Sequence, residues 1–177
     1  MPILRETIET TLPRDEAFAF IADFANAAAW DPGTATSERV DDGPVGVGAR
    51  YRLGVRMRGR IAPMEYRITT FEAPRRVVLA GSGSGVRAID DIRFQATAGG
   101  TRIGYTAEIH LTGLMRLLEP LAGGAFATIA REARDGMQRT LDERARAAAT
   151  APSAATAPPA ATAPPAAEAP RDAPRDG

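Results

Sequence analysis

Apolar and polar residues alternate in short runs from about residue 35 to residue 112, and each run is bounded by a Gly, Pro or Asp cluster. That period of two predicts strands over 35–42, 48–58, 61–72, 76–83, 86–96 and 101–112, a long antiparallel meander. Residues 2–12, rich in Thr and Ile, predict one more strand ahead of it, closed by Pro13. The period changes in PRDEAFAFIADF, where Ala17, Phe18, Phe20, Ile21 and Phe24 share a helical stripe behind Asp15 and Glu16, acidic residues suited to a helix start. A short second helix through ANAAAW ends before Asp31-Pro32-Gly33.

Helical spacing returns once more, and for longer. Leu114, Leu117, Leu118, Leu121, Ala125, Ile129, Ala133, Met137 and Leu141 recur every three or four residues, predicting an amphipathic helix that covers one face of the sheet. Pro120 predicts a short turn of helix before it and the main helix after it, and Gly123 and Gly124 predict a close approach or open space beside the helix. The composition then shifts to Ala-Pro steps without aromatic or branched aliphatic residues, so residues 149–177 read as a disordered tail and residues 1–148 as one domain.

Strand parity sorts side chains to the two faces. Tyr51, Leu53, Val55 and Met57 lie on one face of their strand and Arg50, Arg52, Arg56 and Arg58 on the other. On the other strands Glu65, Glu72, Asp91 and Glu108 have outward parity, which predicts an ion-paired outer face rather than a phosphate-binding stripe. Inward parity collects Met64, Tyr66 and Ile68, then Asp90 with Ile92 and Phe94, then Ile103, Tyr105, Ala107, Ile109 and Leu111. Glu6 shares the face of Leu4, Ile8 and Leu12. His110, the one histidine of the chain, has outward parity and reads as a surface residue.

Charge and composition narrow the chemistry. The 22 basic residues, all arginine, balance 22 acidic ones, so no global field draws the chain to nucleic acid or to an anionic membrane. Without cysteine there are no disulfides, thiolate catalysis or cysteine-held metals. Asp41-Asp42 and Asp90-Asp91 are adjacent pairs whose members point to opposite faces, so no metal site is expected. The opening MPILRETIETT carries no basic stretch followed by an apolar run, which points to the cytoplasm. GVGAR and GSGSG read as turn glycines, the latter joining two hairpin strands at a mobile rim.

Several stretches carry a family resemblance: the opening strand followed by PRDEAFAFIADFANAAAWDP, then GPVGVGARYRL, YRITTFEAPRRVVLAG, GGTRIGYTAEIHLTG and the leucine-rich start of the last helix. In this order the chain resembles the SRPBCC (START/Bet v 1-like) superfamily, in its bacterial polyketide cyclase/dehydrase and lipid-transport-like group. The resemblance implies an α+β helix-grip fold, in which a seven-stranded curled antiparallel sheet wraps the long helix and two short helices follow the first strand. It also implies a mostly apolar cavity between helix and sheet.

With that geometry, the residues expected to line the cavity are Trp30, Tyr51, Leu53, Val55, Met57, Met64, Tyr66, Ile92, Phe94, Tyr105, Ile109 and Ile129. Asp90 is the candidate acid or base, against a plain reading as a hydrogen-bonded strand carboxylate. The scarcity of inward acid–base groups favours binding, sequestration or transport of a hydrophobic small molecule, lipid or polyketide-like, without a cofactor. A polyketide aromatase/cyclase-type enzyme and a protein-interaction module are the alternatives, and oligomeric state is left open.

Overall fold

The structure, a computed structural model, describes residues 3–57, 59–113 and 119–150, and the backbone alone over 119–127. The turn expected before Pro120, Leu114, Leu117, Leu118, Leu121 and Ala125 of the helical stripe, the surroundings of Gly123 and Gly124, Arg58 and the Ala/Pro tail from 151 on lie outside the described residues.

The chain runs β1 (Ile3–Thr10), α1 (Arg14–Ala22), a 3-10 turn (Phe24–Asn26), α2 (Ala27–Trp30), β2 (Thr34–Arg39), β3 (Arg50–Met57), β4 (Arg60–Glu72), β5 (Arg76–Gly83), β6 (Val86–Thr97), β7 (Gly100–Leu111) and α3 (Glu119–Thr150). One seven-stranded antiparallel sheet has the order β1-β7-β6-β5-β4-β3-β2. Each meander strand pairs with its predecessor and β1 closes on β7; the short helices stand between β1 and β2 in sequence and α3 follows β7, yet α3 packs against both α2 and β1. This is the helix-grip arrangement expected from the chain.

Local sequence explains the element boundaries. Pro13 stands at the N-cap of α1 with Asp15 and Glu16 in the first turn, where its missing N–H leaves nothing unsatisfied. Pro120 likewise falls in the first turn of α3, so the helix continues unbroken to Thr150. The strand expected over 35–42 stops at Arg39, because the Asp41 carboxylate accepts hydrogen bonds from the Arg39 guanidinium and the backbone N–H of Arg50, tying off the loop.

The inner face is unevenly filled. At one end Phe18 of α1 packs edge-on against Phe71 and Phe94, each 5.2 Å away between ring centres, with Ile8, Leu79, Ile92 and Ile103 fully buried beside them. Burying each such side chain stabilises the fold by about 1.5–3 kcal/mol. Phe71 reaches this core through a bulge: Ile68 pairs with Leu79 but Thr70 with Val78, and the extra residue Thr69 turns Phe71 inward and Glu72 outward, where alternation counted on from Ile68 would give the reverse. On α3, Ala130, Ala133, Met137 and Leu141 are buried, spaced as the stripe requires. Gly136 lets α3 lie against α2, since a Cβ there would stand 2.2 Å from the carbonyl oxygen of Trp30.

The outer face is ion-paired, with partners set by register. Arg76 holds Asp91 through two parallel bonds of 3.0 Å, and Arg93 joins the same carboxylate. Arg52 pairs with Glu38 at 3.1 Å and Arg102 with Glu9 at 2.9 Å. Arg56 instead donates to the carbonyl oxygens of Pro32 and Thr34. Exposed pairs of this kind contribute about 0–1 kcal/mol each, so the face sets solubility and register more than stability. His110 lies on this side, half-exposed, with Nε2 3.9 Å from the Glu108 carboxylate.

Candidate functional site

Moving along the strands away from the aromatic core, the inward side chains shrink. On β5, Val77 and Leu79 are followed by Gly81 and Gly83; on β6, Phe94, Ile92 and Asp90 by Ala88; on β7, Ile103 and Tyr105 by Ala107. The small residues Ala88 and Ala107 leave a gap beneath α3 between this aromatic core and a second buried cluster of Met64, Val86 and Leu111. The result is a cavity of about 170 Å³. Its walls include Leu53, Val55, Met57, Met64, Tyr66, Asp90, Tyr105 and Ile109 from the sheet, Trp30 from α2, and Ile129, Ala130 and Ala133 from α3. Phe24, Ala88 and Ala107 complete much of the apolar surface.

The GSGSG segment therefore differs from its reading as a turn. Gly81 and Gly83 are strand residues paired to β4 and β6, and the turn is confined to the residues after Gly83, with Gly85 at φ 81°. Gly81 has a packing purpose: a Cβ there would lie 2.5 Å from the Tyr66 ring, so its absence lets that ring lie flat across β5.

Three expected lining residues are not on the cavity wall. Ile92 and Phe94 have the inward parity assigned to them but lie past Asp90 toward the core end, where Phe18 and its neighbours close the space. Tyr51 is fully buried under Phe24, with Arg39 against its ring. Its hydroxyl is buried, and desolvation, reinforced by the charge of Asp23, pushes its pKa up to about 12. The other expected residues, Trp30, Leu53, Val55, Met57, Met64, Tyr66, Tyr105, Ile109 and Ile129, border the cavity, Ile129 at its rim with 45% of its surface exposed. Parity names a face; position along the strand decides between core and cavity.

The polar part of the wall is concentrated. Asp90 is 3% exposed, and its Oδ1 accepts a 2.8 Å hydrogen bond from the Tyr105 hydroxyl. Burial raises the Asp90 pKa to about 6; the Tyr105 bond opposes this, the charge of Asp31 adds to it, and the nearby Tyr66 hydroxyl opposes it again. Both phenols are pushed well above their ordinary value, by burial first and then by the Asp90 charge.

Asp31, in the loop after α2, was not among the expected site residues. Its Oδ1 accepts from the Gly33 N–H at 2.8 Å and its Oδ2 from the Thr34 hydroxyl at 2.6 Å, which fixes the carboxylate on the cavity wall. Burial raises its pKa, against the hydrogen bonds of Thr34 and Gly33 and the charge of Arg56. The sequence signal was the Asp-Pro-Gly-Thr turn, which reads as a helix stop and gives no hint that the cavity lies beside it. Trp30 packs edge-on to Tyr105 at 6.3 Å, and its Nε1 is buried without a hydrogen-bond partner. Among the described residues, no group of three or more His, Cys, Asp or Glu is placed to hold a metal ion, and no helix is long and apolar enough to cross a membrane.

A curled antiparallel sheet that grips a long helix over an internal, mainly apolar cavity defines the START-like, helix-grip class of proteins. The chain belongs to the family described as polyketide cyclase/dehydrase and lipid transport, whose model matches residues 1–148. Among solved structures it is similar to the Zhui aromatase/cyclase of Streptomyces, with 15% identity, a TM-score of 0.69 and coverage of 85% of this chain and 96% of that one. A Thermus thermophilus protein matches with 18% identity, a TM-score of 0.66 and coverage of 84% and 100%. A START superfamily protein of Mycobacterium smegmatis matches with 14% identity, a TM-score of 0.62 and coverage of 82% and 98%. At these identities the likeness shows the shared fold. No curated protein matches the chain.

Proposed function

We propose that this protein binds a hydrophobic small molecule in the cavity between α3 and the sheet, and so sequesters or carries it. The observation that carries this reading is the small inner-face residues Ala88 and Ala107, which border apolar space where a self-contained core would have placed large side chains, while Gly81 and Gly83 make room for Tyr66 and Met64 to lie over β5. A dry apolar cavity of roughly 150 Å³ is known to admit a benzene-sized guest. At about 170 Å³, the space suits a compact ring system or a short acyl segment. The family's description includes lipid transport, in keeping with an apolar guest.

The test is native mass spectrometry of the full chain isolated from its own host, followed by extraction of any adduct. The expected result is a bound apolar molecule that is lost when Ala107→Phe fills the cavity. A chain that carries no adduct and takes up none of a panel of apolar probes would overturn the reading.

Asp90 supports a second reading, an aromatase/cyclase-type enzyme. A carboxyl with a pKa of about 6, held by the Tyr105 hydroxyl inside a mainly apolar cavity, is poised to exchange a proton with a carbonyl-bearing guest near neutral pH. The family's description includes cyclase and dehydrase members. Faster cyclisation of a poly-β-ketone thioester by the wild type than by Asp90→Asn would support this reading; equal rates would refute it.

A further inference from the structure

The cavity wall is lopsided in charge. Glu6, Asp31 and Asp90 all border it, whereas Arg56 is the cation there among the described residues. Arg56 is already committed: it donates at 2.7 Å to the carbonyl oxygen of Pro32 and at 2.9 Å to that of Thr34, and its charge acts on Asp31. Asp90 is influenced by two phenols and by another carboxylate, and by no cation among the described residues. Its cross-strand neighbours are Leu79 and Ala107, and α3 presents Ile129, Ala130 and Ala133 to the same space.

A buried carboxylate with hydrogen bonds but no counter-charge is costly, and an arriving cation recovers much of that cost. The carboxylates do not gather into a metal-holding group among the described residues. The surrounding surface is also wrong for a hydrated ion: Phe24, Trp30, Tyr66 and Tyr105 are aromatic, and aromatic faces attract organic cations. The Tyr105 hydroxyl, moreover, is already spent on Asp90 and is not left for a guest rich in carbonyl groups.

We infer that the guest is a hydrophobic amine, protonated at neutral pH, whose ammonium group pairs with Asp90 while its apolar body fills the space beneath α3. The inference rests on the binding reading above and narrows it to a chemical class. Because Asp90 takes up a proton near pH 6, recognition of the cation weakens below that pH. The groups that face or act on this carboxylate are Tyr105 of β7, Tyr66 of β4 and Asp31 after α2, with Glu6 of β1 bordering the same cavity and Glu132 of α3 acting on Asp31.

The test uses three probes of one shape and different charge: naphthylmethylamine, naphthylmethanol and naphthoate, each titrated into the full chain by calorimetry. At about pH 7.5 the amine is expected to bind at least about tenfold more tightly than the alcohol, with naphthoate weakest. Asp90→Asn is expected to erase the amine's advantage, so that amine and alcohol bind within about twofold of each other. In the wild type, lowering the pH to about 5 is expected to remove most of that advantage without moving the alcohol, a readout that stands even if the variant fails to fold.

If the alcohol or naphthoate binds as tightly as the amine, the inference falls and the cavity-binding reading survives. An amine advantage that persists in Asp90→Asn and at low pH also overturns the pairing with Asp90. If none of the three probes binds, both readings fall.

Discussion

Replacing Asp90 with Asn measures what the fold sacrifices to hold a carboxylate in its cavity. The pKa of Asp90 is about 6 in the folded chain against an ordinary 3.8, so the folded state grips the proton more tightly than the unfolded state. A group of this sign destabilises the fold as pH rises: its favourable contribution is complete below the unfolded value and is lost as pH climbs through the folded one. The gap between about 6 and 3.8 corresponds to about 3 kcal/mol, and the burial of Asp90 at 3% exposure means that solvent screens little of it. Asn keeps the shape and cannot ionise. In the ligand-free protein, the stability of Asp90→Asn relative to wild type should therefore improve by about 3 kcal/mol between about pH 3.5 and about pH 7.5, with most of the change between pH 4 and 6. Asp31 is raised in the same direction and is present in both proteins, so what enters the comparison is its coupling to the Asp90 charge, which the Asp90 shift already contains. Urea unfolding at a series of pH values, extrapolated linearly to water, gives the two curves directly. A difference that stays flat across this range, or that shifts in favour of the wild type with rising pH, would refute the argument that Asp90 is a buried carboxylate without a counter-charge.

Two packing predictions complement it. Gly136→Ala should gain about 1 kcal/mol of helix propensity yet lower stability by about 2 kcal/mol net, because its Cβ would stand 2.2 Å from the Trp30 carbonyl oxygen; thermal unfolding checks the sign. Gly81→Val should cost about 1–3 kcal/mol by pushing the Tyr66 ring away from β5, and should also draw its hydroxyl away from Asp90, seen as an upward move of the Asp90 pKa in a carboxyl-resolved NMR titration.

Much of the architecture was legible in the chain. Alternation over six runs, a helical stripe after Pro13 and a second one from Ile129 to Leu141 anticipated each described element to within a few residues, because burying one face of a strand or helix imposes its period on the sequence. The same parity placed Asp90 and Tyr105 on the inner face and His110 on the outer one, where each is found. Where the alternation was interrupted, it gave no warning: Thr69 is an ordinary strand residue, and the bulge that carries Phe71 into the core follows from the pairing of β4 with β5.

The sequence by itself thus determined the faces: which residues could meet across the sheet, and that the inner surface was apolar with one carboxylate on the last-but-one strand. The tertiary structure decided how that surface was divided. Whether an inward residue fills the core or borders the cavity depends on what stands over it from α1, α2 and α3, a contact between segments far apart in the chain. This is why Ile92 and Phe94 are packed under Phe18 while Ala88 and Ala107, with the same parity on their strands, face open space. It is also why Asp31, read as the end of a helix, stands close enough to Asp90 for its charge to raise that group's pKa, since periodicity reports a residue's own face and says nothing of the charges another segment brings to it.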